Sequence, residues 1–231
     1  MAKFGKKYRA ILKDAPKQPV SIEEAIKFIK AHPAAKFDET LDVAFCLGTN
    51  CVRSDSPVRG TVKLPAGSGK NVKVLVFAGG EHADQAKAAG ADYVGYEDLV
   101  EKIKNDWQEF DILIATPNAM KLVRPLGRQL GPRGLMPNPK TGTVTEDVAS
   151  AVKEAKAGRV EFRADKGGCV HVPFGKLSFT AEALEANLRV IIDALVKARP
   201  SSTKGAYMLG CTVSATMTPG VKLAAKELSG E

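Results

Sequence analysis

The hydrophobic pattern changes character twice along the chain, and this change restricts the possible folds more than any other feature. Apolar and polar residues alternate, as in strands with one buried face, in four segments: 36–47, 58–64, 160–172 and 206–217. Residues 72–78 and 111–115 are instead almost continuously apolar, which is typical of strands buried on both faces of a parallel sheet. The middle of the chain therefore belongs to a different sheet from its two ends.

The phase of the alternation predicts which side chains are buried. The inward positions are Leu41, Val43, Phe45 and Leu47 in the first strand, Val58, Gly60, Val62 and Leu64 in the second, and Tyr207, Leu209, Cys211 and Val213 in the last. A Gly167–Gly168 turn inside 160–172 predicts a hairpin.

Helical periodicity fills the intervals between the strands. Ser21 and Thr180 are suited to cap helices, and Thr145 is predicted to cap another helix that ends at Gly158. Further helices are predicted at 3–13, 81–89 and 97–103.

These patterns predict an α/β protein with two domains. Residues 1–67 and 160–231 form an α+β outer domain of a split β-α-β-like type. Residues 68–159 form an inserted Rossmann-like domain with three α/β layers. A polar, glycine-rich run at 65–71 is suited to the first crossing between the domains.

The charge distribution favours a polyanionic partner for the outer domain. The chain carries a net charge of +8; residues 1–67 hold 12 basic and 7 acidic groups, 160–231 hold 9 and 7, and 68–159 hold 13 and 12. The outer domain thus has +7 of the excess, which favours nucleic acid. No apolar run is long enough to span a membrane, and the first residues form no signal-peptide core. We expect a cytoplasmic protein with no membrane partner.

A nucleotide-dependent enzyme is the rival class, but its motifs are incomplete. The stretch Gly67–Lys70 has Leu64 and Asn71 where a phosphate-binding loop needs Gly and a hydroxyl residue. The Gly79–Gly80 turn places Glu81 where a pyrophosphate would lie. No nucleophile motif accompanies the histidines. We therefore expect no enzyme activity and no cofactor.

The cysteines are expected to be reduced, packed thiols. Cys46, Cys51, Cys169 and His171 are residue types that bind zinc, but their spacing fits no common zinc pattern. We therefore predict no metal site.

The segment Gly127–Thr143 is a basic loop whose four Gly and three Pro exclude a long helix or a central strand. No Asp or Glu occurs from Ile112 to Thr145, whereas five basic residues do: Lys121, Arg124, Arg128, Arg133 and Lys140. Such a loop is suited to phosphates, and a solvated surface loop stiffened by proline is the equally good alternative.

Two polar clusters of the outer domain are candidates for nucleic-acid contact. Lys36–Thr40 begins a strand with a cation, an aromatic ring and a hydroxyl group, which suit phosphate, base and sugar. The alternative is a capped strand start with Phe37 in the core. Thr216–Gly220 ends the last strand in small donors and a tight turn, which suits close approach to a ribose. His171 lies near Lys166 on the predicted hairpin and is a further candidate.

The sequence GRQLGPRGLMPNPKTGT at 127–143 resembles the signature of the universal large-subunit ribosomal protein L-one family. Further matching stretches are KFDET at 36–40, AGADYVG at 89–95, AKAGRVEFR at 155–163 and the TM-x-PG segment at 216–220. The resemblance therefore spans the whole chain.

The resemblance implies a role for specific residues. In this family the KFDET stretch, a D-K-x-G turn and a TMG segment contact a junction of ribosomal RNA. The corresponding residues here are Lys36, Phe37, Thr40, Asp165, Lys166, Thr216 and Met217. Thr218 replaces the usual Gly of TMG, where its side chain would either crowd the RNA or add a donor, and Gly167 replaces a more usual Thr. Arg128, Arg133 and Lys140 form a secondary basic loop.

The resemblance also implies a non-enzymatic function on the large ribosomal subunit. Its partners would be the 23S rRNA of the mobile stalk, tRNA at the exit site, whose release the protein would assist, and other ribosomal components. Bacterial members also repress translation by binding the mRNA of their own operon.

Two crossings joining the domains predict a hinge, because Gly67, Gly69 and Gly158 flank them. Replacing the three glycines with alanine should narrow the range of domain arrangements, since alanine reaches fewer backbone conformations. Solution scattering of the free wild-type and variant proteins measures this range. A wild-type curve that fits one rigid arrangement would contradict the hinge.

Overall fold

The computed structural model describes residues 5–48, 58–105, 107–200, 203 and 205–224, with only the backbone of Lys140. The chain divides into two compact units, which we call the outer unit (Met1–Gly69 with Val160–Glu231) and the inner unit (Lys70–Arg159). Among the described residues, no helix is long and apolar enough to cross a membrane.

The outer unit contains α1 (Lys6–Asp14), α2 (Ile22–Ala31), β1 (Thr40–Leu47), β2 (Arg59–Lys63), β6 (Arg159–Arg163), β7 (Cys169–Lys176), α8 (Ala181–Lys197), β8 (Met208–Ala215) and β9 (Val221–Lys222). The inner unit contains β3 (Val74–Phe77), α3 (Glu81–Ala88), β4 (Tyr93–Gly95), α4 (Glu97–Lys104), β5 (Ile112–Ala115), α5 (Met120–Val123), α6 (Gly127–Leu130) and α7 (Val148–Lys156). Arg159, the first residue of β6, lies at the boundary between the units.

The main sheet of the outer unit has the antiparallel order β7-β1-β8-β9. Its inward side chains are buried with those of α2 and α8, and the predicted inward residues of β1 all belong to this core. A second pair, β2 and β6, adds Val58, Val62, Leu64 and Phe162 to the same core. The alternation therefore identified the buried face of both β1 and β2.

The hairpin prediction needs a correction in its pairing. The Asp165–Gly168 turn is present, but only Ala164 and Val170 pair across it, in one antiparallel bridge. The strands diverge beyond this bridge, because β6 pairs with β2 whereas β7 pairs with β1.

The prediction that Leu209 is buried is wrong. In the pairing of β1 with β8, Cys46 lies opposite Gly210 and Leu47 lies opposite Met208, so Leu209 is an extra residue in the ladder. A β-bulge of this kind interrupts the alternation of faces. The Leu209 side chain is consequently 63% exposed, while Cys211 and Tyr207 on either side of it are buried as predicted.

Asn187 of α8 is a buried polar residue that ties the strand-to-helix connections together. Its Oδ1 accepts a hydrogen bond from Ala66 N at 3.1 Å, and its Nδ2 donates to Gly67 O at 3.1 Å and to Phe174 O at 2.8 Å. The buried side-chain amide thereby satisfies three backbone groups and is itself fully hydrogen-bonded. This arrangement fixes the last residues of the first outer segment onto α8.

The inner unit is a parallel sheet of order β4-β3-β5 with helices on both faces. Leu75 and Phe77 of β3 pack on one side in a cluster with residues of α4, α5 and α6. Val74 and Val76 pack on the other side with residues of α3 and α7. The continuous apolar run of β3 therefore serves two cores, and the three-layer α/β prediction is confirmed.

The start of α7 differs from the prediction. The helix is capped by Asp147, whose Oδ1 accepts from Ser150 N at 3.1 Å. Thr145 instead accepts a hydrogen bond from Asp147 N, and its own backbone N–H is bonded to Ala115 O. The helix therefore begins at Val148, two residues later than a cap at Thr145 would give. The hydrogen bonds from Ser150 lower the pKa of the Asp147 carboxyl group.

Candidate nucleic-acid interface

The face of the main sheet opposite α2 and α8, which we call the open face, carries polar and charged side chains. They are Thr40 and Asp42 of β1, His171 and Lys176 of β7, and Thr212 and Ser214 of β8, all at least partly exposed. These residues alternate along the strands with the buried core residues. The open face can therefore present hydroxyl groups and cations to a ligand.

Predicted residues from both ends of the chain meet where β1 begins and β8 ends. The backbone N–H of Thr40 donates to Thr216 Oγ1 at 3.2 Å, and this hydroxyl donates to Thr40 O at 3.3 Å. Phe37 is 58% exposed and Met217 is 55% exposed, so the alternative that Phe37 lies in the core is wrong. Lys36 is exposed beside them. We call Lys36, Phe37, Thr40, Thr216 and Met217 the strand-end cluster.

Glu39 holds this cluster together, although the sequence analysis did not select it as a site residue. Its side chain has no exposed surface. One oxygen, Oε1, accepts from Ala34 N at 2.9 Å and from Ala35 N at 2.7 Å, and Oε2 accepts from Met217 N at 3.1 Å. The carboxylate thus joins the segment before Phe37 to the segment that carries Met217. The sequence does indicate that Glu39 is buried, because the alternation of inward and outward residues gives it an inward position two residues before Leu41.

Lys176 is a second residue that the sequence analysis missed. Its ammonium group donates to Thr40 Oγ1 at 2.9 Å and contacts Asp38 O at 3.4 Å. The Asp38 carboxylate is itself bonded to the backbone and hydroxyl groups of Ser178. A cation is therefore fixed beside the Thr40 hydroxyl. The sequence did not reveal this contact, because it depends on the register that places Thr40 opposite Lys176 in the β1–β7 ladder.

The Asp165–Gly168 turn lies at the opposite end of β1 and β7. Cys46 pairs with Cys169 there, whereas Thr40 pairs with Lys176, so six residues of strand, about 20 Å, separate the turn from the strand-end cluster. Asp165 Oδ1 accepts from Cys169 N at 2.8 Å, which leaves the Lys166 side chain exposed at the tip. A Cβ atom at Gly167 would lie 3.4 Å from Asp165 Oδ1, an ordinary contact, so this departure from the family pattern leaves the turn unchanged.

His171 connects the two groups, because it is exposed in the middle of the open face and lies opposite Ala44. Partial burial raises the pKa of the neighbouring Asp42 carboxyl group, while the charges of His171 and Lys176 act to lower it. The face therefore contains one carboxylate between two basic groups.

Thr218 is turned away from the open face. Its side chain is 8% exposed, and its hydroxyl accepts from Ala215 N at 2.9 Å. The side chain closes the turn after β8, so it neither crowds the strand-end cluster nor offers it a donor.

The secondary basic loop is more ordered than a simple loop. Arg128 is exposed on α6, a single helical turn, and Arg133 is exposed in the turn that follows. The side chain of Lys140 lies outside the described part of the chain. Arg159 anchors the end of this loop by donating to Thr141 O and by pairing with Glu154 at 3.1 Å.

The predicted hinge glycines all have positive φ angles: 75° at Gly67, 69° at Gly69 and 97° at Gly158. Asn187 binds the carbonyl oxygen of Gly67, and a Cβ atom at Gly69 would lie 2.7 Å from Lys176 Cγ. Backbone conformation thus explains the glycines, and the hinge stays a prediction.

The zinc alternative cannot be assembled from the described residues, since Cys51 lies outside them. Within the described ranges, no three His, Cys, Asp or Glu side chains are grouped as metal ligands. Cys46 and Cys169 face each other across the β1–β7 ladder.

Replacing Glu39 with glutamine should reduce the free energy of unfolding by about 1–3 kcal/mol, because an amide nitrogen cannot accept hydrogen bonds from the backbone donors that Glu39 binds. Urea denaturation followed by circular dichroism measures the change. Glu161→Gln, at an exposed position of β6, is the matched control. Equal stability of the two variants would contradict the role of Glu39.

Comparison with known sequences identifies the family of the chain. The profile of the family described as "Ribosomal protein L1p/L10e family" matches residues 29–219, which include both the strand-end cluster and the basic loop. The chain is 54% identical over 224 residues to the large ribosomal subunit protein uL1 of Dechloromonas aromatica, covering 96% of this chain and 97% of the relative. It is 53% identical to the protein of the same name from Burkholderia lata, with the same coverage. The chain belongs to the ribosomal protein L1p/L10e family.

Proposed function

We propose that this protein is a constituent of the large ribosomal subunit in the cytoplasm and binds 23S rRNA through the open face of its outer unit. The observation that carries the proposal is the strand-end cluster, which exposes an aromatic ring and a thioether. The buried Glu39 carboxylate joins the segments that carry these two side chains, and the Thr216 hydroxyl is bonded to the backbone of Thr40. The identity of about half of all residues to large-subunit proteins supports the same role.

The chemistry of the open face suits folded RNA better than a regular duplex. Phe37 and Met217 offer apolar surface for an unstacked base or a ribose. Thr40 and Thr216 have short side chains, so their hydroxyl groups allow close approach to a ribose 2′-hydroxyl group. Lys176 and Lys166, at the two ends of the face, supply charges for phosphates. The small number of cations means that shape and hydrogen bonds contribute much of the specificity.

We infer the position on the subunit from the role proposed for the open face. Binding to the mobile stalk would leave the basic loop of the inner unit available for tRNA at the exit site and for other ribosomal components. Arg128 and Arg133 are exposed there, on a segment stiffened by the Arg159 anchor. We propose that the loop assists tRNA release and that the outer and inner units act as separate domains.

A regulatory role uses the same surface. An mRNA segment of the protein's own operon that imitates the rRNA junction would compete for the open face, and the protein would then repress translation. Translation of that mRNA in a purified system should fall when the free protein is added. An unaffected yield would remove this part of the proposal. Affinity for nucleotides in place of RNA would favour the rival enzymatic class.

Removing a charge and removing a hydroxyl group from the open face should have different effects on binding. Lys166→Ala should reduce the dependence of log affinity on log salt concentration by about one charge. Thr216→Val should weaken binding by about 1–3 kcal/mol, because it removes a specific contact. It should change this slope little, because the number of ions released on binding stays the same. Titrations of an rRNA stalk fragment at several salt concentrations measure both.

Thr212→Val is a control for the loss of a hydroxyl elsewhere on the open face, away from the strand-end cluster. If the affinity does not depend on salt concentration, or if Thr216→Val and Thr212→Val lose the same affinity, the proposed contact is wrong.

A shortened chain that joins residues 1–67 directly to 160–231 by a short linker should fold and retain most of the affinity for the stalk fragment. The main sheet, α2 and α8 share one core made entirely of residues from these two segments. Arg128→Ala with Arg133→Ala in the full chain should cost less affinity than Phe37→Ala, because the loop is assigned to tRNA.

Titration of the shortened chain and of these full-length variants distinguishes the two surfaces. If the basic loop is the main contact, the shortened chain loses most of its affinity and the double arginine variant binds as weakly as Phe37→Ala.

A further inference from the structure

We propose that Cys46 and Cys169 form a reversible disulfide across the open face, which makes this surface sensitive to oxidation. The two residues are direct partners in the antiparallel ladder of β1 and β7. Direct partners in such a ladder point to the same face, and Cys46 is exposed there while Cys169 is half-buried. The pair is thus accessible to a small oxidant.

The hydrogen bonds of Cys169 show whether Cys46 and Cys169 are a hydrogen-bonded or a non-hydrogen-bonded pair in the antiparallel ladder. Its backbone N–H donates to Asp165 Oδ1 at 2.8 Å, and its carbonyl oxygen accepts from Asp165 N at 2.9 Å. Both backbone groups therefore point away from Cys46. The adjacent bond, from Leu47 N to Gly168 O at 2.9 Å, agrees with the alternation expected in the ladder. Cys46 and Cys169 are a non-hydrogen-bonded pair.

Pairs of this kind have the closest approach in an antiparallel sheet. Their Cα atoms lie about 4.5 Å apart, within the range of about 4.4–6.8 Å that disulfides span but at its short end. A bridge is therefore geometrically accessible, and it would be more easily reduced than an unstrained structural disulfide. Such a bond suits a protein that meets a reducing environment most of the time.

The reaction needs a small disulfide such as glutathione disulfide. The thiolate of one cysteine attacks this disulfide, forms a mixed disulfide and releases one glutathione thiolate. The second cysteine, after loss of its proton, then attacks the protein-bound sulfur and releases the second glutathione. In total, two protein thiols are oxidised, one glutathione disulfide is reduced to two glutathione molecules, and the two protein protons pass to the products.

Cys211 provides an internal comparison. It lies on β8 opposite Phe45, on the buried face of the sheet, and burial raises the pKa of its thiol to about 12. A thiol with so little thiolate and so little exposure reacts slowly with disulfides. The oxidation is therefore selective for the two cysteines of the open face among the three described cysteines.

The consequence for binding rests on the proposed function. The preferred Cα separation of a disulfide is about 5.5–6 Å, so closing the bond pushes β7 away from β1 at this end. Asp165 is bonded to both backbone groups of Cys169, so the turn that carries Lys166 moves with it. We expect the oxidised protein to bind the rRNA stalk fragment several-fold more weakly, and reduction by dithiothreitol to restore the affinity.

Peptide mapping tests the bridge independently of RNA. The full-length Cys51→Ser protein is incubated with glutathione disulfide, alkylated and digested with trypsin without reduction. Lys36 and Arg53 bracket Cys46, Lys166 and Lys176 bracket Cys169, and Cys211 falls in a third peptide. The expected product joins the first two peptides and leaves Cys211 alkylated. Glutathione adducts without a joined peptide, or equal reaction of Cys211, would overturn the proposal.

Cys169→Ser in the same background is the matched control, which should accumulate a glutathione adduct at Cys46 and form no bridge. Titration with the stalk fragment then separates the two ideas. A joined peptide with unchanged affinity rejects the switch but not the RNA-binding face. Absence of rRNA binding by the reduced protein rejects the proposed function and leaves the peptide map unaffected.

Discussion

The outer unit depends on one buried carboxylate. Burying a charged group is costly unless several donors surround it, and Glu39 meets this requirement with backbone N–H groups from Ala34, Ala35 and Met217. Two of these donors precede the inserted unit and the third follows it, 178 residues after Glu39. The same interaction that stabilises the sheet therefore joins the segment before Phe37 to the segment that carries Met217. Stability and surface chemistry are coupled at this residue, because no apolar replacement of Glu39 could bind those donors.

The sheets of the two units are covered by helices to different extents, and this difference determines which groups each unit exposes to a partner. The inner sheet is covered on both faces, so its exposed groups lie on helices and on the basic loop. The main sheet of the outer unit is covered on one face by α2 and α8, so its other face remains available to a partner. Paired strands hold the small polar side chains of the open face in fixed register, and the Arg159 anchor holds the end of the basic loop in the inner unit.

Much of the fold followed from the sequence because hydrophobic phase is a local property. The inward residues of β1 and β2, the caps Ser21 and Thr180, and the double-sided burial of β3 were all predicted in this way. Leu209 was not, since a bulge depends on the partner strand. Thr145 was misjudged because Asp147, two residues later, caps the helix instead. The contact of Thr40 with Thr216 and the placing of Cys46 opposite Cys169 depend on strand pairing, which the hydrophobic pattern does not contain.

The order of synthesis is constrained by the central place of β1 in the main sheet. Both of its neighbours, β7 and β8, come after the inner unit in the chain. A growing polypeptide therefore exposes β1 with two unpaired edges while the contiguous inner unit, Lys70–Arg159, already has its whole sequence. The contact between Thr40 and Thr216 closes a separation of 176 residues, so its second partner is synthesised long after β1. The strand-end cluster is therefore incomplete until Thr216 and Met217 have been synthesised, well after the inner unit.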